Sequence, residues 1–120
     1  MRRNRRKAAM KLTNMPEAVT DWSSISAVTV PGASAVAKAR TRQLGDVTLR
    51  VVEYTPGYLA DHWCSKGHVI YVIAGELTIE HQDDRPACAL SAGMSWHVAD
   101  DEEPSHRVRS KAGATVFILD

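Results

Sequence analysis

The chain has 120 residues, 44% hydrophobic and 24% charged, which fits one globular domain with a modest core and excludes a disordered chain. No apolar run approaches the roughly 20 residues that a membrane-crossing helix needs, and no secretory-type apolar stretch follows the basic start, so no membrane partner and a cytoplasmic location are expected. The net charge of +1 is uneven: Arg2, Arg3, Arg5, Arg6, Lys7 and Lys11 are six of the fifteen basic residues, and the other nine face all fourteen acids, leaving the body at −5.

Between Arg2 and Lys7 the basic run has no aromatic or apolar position, so it offers no partner positions for a nucleic-acid-binding face. Residues 1–14 are therefore expected to form a disordered, solvated arm, with residues 15–120 as the folded domain and no nucleic-acid partner. Ile25–Val30 is β-branched and closes at Pro31-Gly32, an extended segment or edge strand. From there the signals are all β. Val36–Leu44 and Val47–Tyr54 flank Gly45-Asp46, a turn pair between two hairpin strands. Val47, Leu49 and Val51 share one face of the second strand and Thr48 and Arg50 the other, the alternation of a half-buried strand. Pro56-Gly57 breaks the chain, His62–Ser65 is short and extended, and Lys66-Gly67 turns. Val69–Ile73 is apolar, Ala74-Gly75 reads as a turn, and Leu77–His81 returns. Cys88–Leu90, Met94–Val98, His106–Arg109 and Ala114–Leu119 complete the set. Many short strands at spacings of roughly 8–12 residues predict an all-β sandwich or closed barrel, because antiparallel sheets must hide their edges.

The chemistry concentrates in Gly57–Gly75, GYLADHWCSKGHVIYVIAG. On an extended strand His62 and Cys64, two apart, point to one face. His68 opens the neighbouring strand beyond a turn, and His106 follows a proline-containing loop far along the chain. Imidazole and thiolate donors suit a divalent transition metal such as zinc, iron or nickel. With no signal peptide, Cys64 and Cys88 are expected as free or metal-bound thiols, Cys88 as a buried structural one. His81 is expected in solvent beside a turn, and alternation lets only one of Trp96 and His97 face inward. Tyr54, Tyr58 and Tyr71 are candidates for a cavity wall. Glu53 shares parity with Val47, Leu49 and Val51; it is a buried acid if that face is interior, and a solvated strand end if its place beside Pro56-Gly57 prevails.

These residues resemble the two motifs of the cupin superfamily. The first motif has two His separated by one residue, then an acid, then Gly. Here His62 stands at the first His, Cys64 at the second, His68 at the acid and Gly75 at the Gly. The second is matched by Gly93 and by Pro104-Ser105-His106. Asp61-His62-Trp63-Cys64 with Lys66-Gly67-His68 is more closely similar to a small group of RmlC-like cupins named for an Asp-His-Cys-Trp motif. The likeness runs from about Asp21 to Asp120 and implies a single-domain jelly-roll barrel, the double-stranded β-helix, with His62, Cys64, His68 and His106 as metal ligands. Three His and a thiolate replace the family's usual three His and a carboxylate, which argues against manganese and against a carry-over of oxalate or quercetin chemistry.

The resemblance implies a metal-binding cupin acting on a small molecule held in the barrel, with dioxygenase-like chemistry. Two alternatives of other classes stand beside it. One is a non-catalytic sensor of a small molecule, a metal or, through Cys64, redox state; the other is a structural zinc site closed by four protein ligands. Trp63 lies between His62 and Cys64 and so points outward, where a homodimer partner or residues 21–30 would cover it.

Overall fold

The computed structural model of the protein describes residues 12–120. Most of the arm expected over residues 1–14 lies outside them. At its end Thr13 Oγ1 donates to Asp46 Oδ2 at 2.9 Å and Asn14 Nδ2 to the same oxygen at 3.3 Å, which ties these two residues to a hairpin turn of the body.

A single 3-10 turn, Trp22–Ser24, is capped by Asp21, whose carboxylate accepts from the Ser23 backbone N–H. Nine strands follow: β1 (Val28–Pro31), β2 (Val36–Leu44), β3 (Val47–Tyr54), β4 (Tyr58–Leu59), β5 (His68–His81), β6 (Cys88–Ser91), β7 (Ser95–Val98), β8 (His106–Ser110) and β9 (Ala114–Leu119). All pairings are antiparallel. One sheet runs β1-β2-β3-β9-β5-β7, the other β4-β8-β5-β6, and β5 belongs to both. This is the all-β jelly-roll barrel that the resemblance implies.

The β2–β3 hairpin and β9 fall where the sequence puts them, with Gly45 at φ +62° in the turn. Ala74-Gly75 does not turn the chain. The residues lie inside β5, where the register against β9 slips between Val72 and Ala74 and Gly75 adopts φ +82°. A Cβ at Gly75 would sit 2.2 Å from the Gly113 carbonyl oxygen, so β5 and the chain entering β9 approach this closely only because glycine is there. The bulge also inverts the alternation. Ile70 and Val72 face the core before it, Leu77 and Ile79 after it, and all four are buried.

The face of β3 is opposite to the one its apolar residues suggest. Ladder partners share a face, and Arg50, Val52 and Tyr54 pair with Ile118, Val116 and Ala114, all buried. Leu49 and Val51 instead pair with Leu119 and Phe117 on the outer face, where the Trp22 ring meets Phe117 edge-on at 6.3 Å. That outer face is itself partly covered, so it is apolar too. Arg50 thereby becomes an interior residue. Glu53 is on the outside, ion-paired with Arg40 at 3.7 Å. Among the described residues no helix is long and apolar enough to cross a membrane.

Candidate metal centre

His68, the first residue of β5, and His106, the first of β8, both turn inward. Their rings meet edge-on at 5.2 Å between centroids. Cys64 is held beside them by a reciprocal pair of backbone hydrogen bonds, its N–H donating to the His106 carbonyl at 2.7 Å and its carbonyl accepting from His106 N–H at 2.9 Å. Its Sγ lies 3.7 Å from His68 Nε2 and accepts from the Lys66 backbone N–H at 3.3 Å. One donor atom from each of Cys64, His68 and His106 lies within 4.8 Å of the others.

His62 stands apart from this trio. Residues 61 and 62 form a bend rather than a strand, so the same-face rule for positions i and i+2 has no extended backbone to act on. The side chain is 75% exposed, with Nδ1 2.6 Å from Asp61 Oδ1, although the residue borders the same cavity as the other three.

His106 is 3% exposed, yet neither ring nitrogen has a hydrogen-bond partner among the described residues. Burial, then the neighbouring His68 and His81, pushes its imidazole down to about 4, so it is neutral at pH 7 with one nitrogen lone pair available. Burial likewise pushes His68 below its ordinary value, against the opposing pull of Asp120. The Asp120 side chain is 1% exposed. Its Oδ2 lies 3.0 Å from His68 Nδ1 and accepts from Arg50 Nη2 at 2.8 Å. A His68 that donates through Nδ1 presents the lone pair of Nε2 to the cluster, the orientation metal-bound histidines require.

The cavity enclosed here measures about 150 Å³ and is lined by Arg50, Tyr54, Cys64, His68, Ile70 and His106 among others. A hollow of about 450 Å³ around Tyr54–Pro56 and Gly113 is larger but more open and holds none of this cluster. Trp96 packs on His106 with ring centroids 4.9 Å apart, and His97 points outward. Tyr54 and Tyr58 are buried against each other at 4.7 Å, and only Tyr54 reaches this cavity; Tyr71 is 44% exposed on the outer face of β5. His81, expected in solvent, sits on the inner face opposite His106 in the β5–β8 ladder, with a buried, unpartnered Nδ1. Trp63 is half-buried and is not among the described residues lining this cavity; the Arg107 guanidinium lies over its ring at 4.3 Å. Arg107 and Arg109 also bind Glu80 and, against the effect of its partial burial, hold that carboxyl below its ordinary value. Both cysteines are free thiols, Cys88 packing against the core from β6.

Arg50, His81 and Asp120 were not among the residues the sequence singles out as ligands. Arg50 carries a signal only once the register is known, since its parity with Val52 and Tyr54 competes with that of Val47, Leu49 and Val51.

No family model and no curated protein matches this sequence. Solved structures do match in fold. The chain is similar to an RmlC-like cupin from Shewanella frigidimarina, with 18% identity over 89% of this chain and 92% of that one and a TM-score of 0.66. It is similar to a predicted oxalate decarboxylase from Thermotoga maritima, at 12% identity, 85% and 96% coverage and TM-score 0.68. It is also similar to the ectoine synthase of P. lautus, at 17% identity, 86% and 76% coverage and TM-score 0.67.

Proposed function

We propose that this chain, a cupin by fold, binds a divalent transition metal on Cys64, His68 and His106 and acts as a metal-dependent enzyme on a small molecule in the barrel. The observation that carries the reading is His106, fully buried with two unpartnered ring nitrogens beside a thiol and a second imidazole. Such a group is a costly way to fill a core, and a cation accounts for it. The donor set of two imidazoles and one sulfur suits zinc, iron or nickel better than manganese.

Three protein ligands rather than four favour catalysis over a structural zinc site, because catalytic sites keep a position open for water or substrate. When bound, the ion supplies a Lewis acid or an oxygen-binding centre. The chain's own part is to position and to shield. Asp120 fixes the ring of His68, the Cys64–His106 backbone pair fixes the thiol, and Tyr54, Ile70 and Ile118 wall the cavity against water. Two fold relatives are named as enzymes, an ectoine synthase and a predicted oxalate decarboxylase, which is in keeping with a catalytic role. A thiol-based redox sensor is the second reading, favoured by the approach of His68 Nε2 to Cys64 Sγ and by the Lys66 N–H on that sulfur.

The test is elemental mass spectrometry of untagged protein grown with iron, zinc, nickel and copper available. About one metal per chain is expected, with large losses in Cys64→Ser, His68→Ala and His106→Ala. Protein that carries far less than one metal, with thiol-dependent oxidation at Cys64 instead, would replace the enzyme reading by the sensor.

A further inference from the structure

We propose that the small molecule is a short-chain carboxylate, anchored by Arg50; this rests on the metal reading above and names its substrate class. Arg50 points inward from β3 opposite Ile118 and borders the cavity with Cys64, His68 and His106. A guanidinium offers five N–H donors in a planar fork. The hydrogen bond recorded for it among the described residues uses one, from Nη2 to Asp120. The side chain is 30% exposed, so the remaining donors are accessible rather than consumed by the fold.

Charge points the same way. Among the described residues that line this cavity there is no Asp or Glu, and its second guanidinium, Arg107, is already paired with Glu80. Asp120 lies behind it and balances Arg50. A divalent ion on one thiolate and two neutral imidazoles then leaves the site at +1, which one carboxylate neutralises. A carboxylate also matches the guanidinium fork in shape, through two parallel hydrogen bonds that a neutral amide cannot reproduce. Size sets the chain length. A cavity of about 150 Å³ holds about five waters at roughly 30 Å³ each, and so a ligand of about four to eight non-hydrogen atoms.

Titration calorimetry on metal-loaded and on chelator-treated protein tests this, with acetate, pyruvate and malonate against neutral acetamide and lactamide. At least one carboxylate should bind tenfold or more tightly than any amide. Arg50→Gln and Arg50→Lys should each lose that preference while keeping the parent's metal content by mass spectrometry. In chelated protein the carboxylate should bind more weakly and still depend on Arg50. Equal affinity for carboxylate and amide, absence of binding by every probe, or parent affinity in folded Arg50 variants would overturn the proposal. If both variants fail to fold, the carboxylate-to-amide contrast on the parent decides alone. A metal-free parent with Arg50-dependent carboxylate binding would sink the metal reading and leave the anion site standing; a metal-loaded parent indifferent to charge would do the reverse.

Discussion

Replacing His106 by Leu should stabilise the metal-free protein and destabilise the metal-loaded one. In the absence of a ligand, two buried ring nitrogens without partners cost about 1–3 kcal/mol each. The variant forfeits edge-on contacts to Trp96 and His68, worth about 0.5–1.5 kcal/mol apiece. The balance is a gain of about 1–3 kcal/mol, seen as a rise in Tm of about 4 °C per kcal/mol for a domain of this size. With metal a thousandfold above its Kd, the parent gains about 4.1 kcal/mol that the variant, short of a ligand, does not, and the order of Tm inverts. Thermal denaturation with chelator and with excess zinc reads both signs. A pH series gives a second handle. The folded value of about 4 lies below the unfolded 6.5, so the unfolded chain takes up the proton first. Stability present above 6.5 is then lost as pH falls towards 4, on the order of 3 kcal/mol for this group. The Leu variant lacks this loss and keeps the one due to His68, whose imidazole burial also holds below its ordinary value. A His106→Leu protein less stable than its parent under both conditions would refute the reasoning and make His106 an ordinary satisfied core residue.

Cys64→His should keep a metal and shift selectivity towards harder ions, read as a higher iron-to-zinc ratio in competitive loading. Gly75→Ala should destabilise by about 2 kcal/mol or more, because the position needs φ +82° and its Cβ would press on the Gly113 carbonyl; urea denaturation measures it. A homodimer through the outer face of β5, where Val69, Tyr71 and Ile73 are each nearly half exposed, is expected from that apolar stripe. Tyr71→Lys with Ile73→Lys should then halve the mass seen by light scattering, and a monomeric parent would dismiss the dimer.

The hairpin was readable because Gly45-Asp46 both signals a turn and separates two runs of even period. Gly75 misleads because a glycine at positive φ marks a bulge as readily as a turn, and only the ladder to β9 tells them apart. Cys64, His68 and His106 could be picked out by residue type and by likeness to cupin motifs. The two-residue spacing groups His62 with them only on an extended backbone, which the bend at Asp61-His62 does not provide. Asp120 and Arg50 lay beyond reach for a different reason. Their meeting depends on the register of β3 against β9, and both faces of β3 carry apolar residues, so alternation alone gives two answers. His81 was hidden by the bulge, which changes which parity faces inward.

Fully extended, the fourteen residues of β5 would span about 43 Å, yet both ends of the strand reach His106: the His68 ring packs on it and His81 lies opposite it in the ladder. The strand acts as a hoop whose two ends meet at the candidate metal centre, and its bulge lets both His68 and His81 face inward there. Loss of one residue between Val72 and Gly75 would heal the bulge and leave Leu77, Ile79 and His81 facing inward, because the shortened strand then alternates without a break. Loss of Thr78, beyond the bulge, would instead carry Glu80 inward and His81 outward, exchanging an imidazole for a carboxylate without any codon for a ligand being altered. In this barrel the bulge is where β5 can shorten and keep its donors; past it, length alone rewrites them.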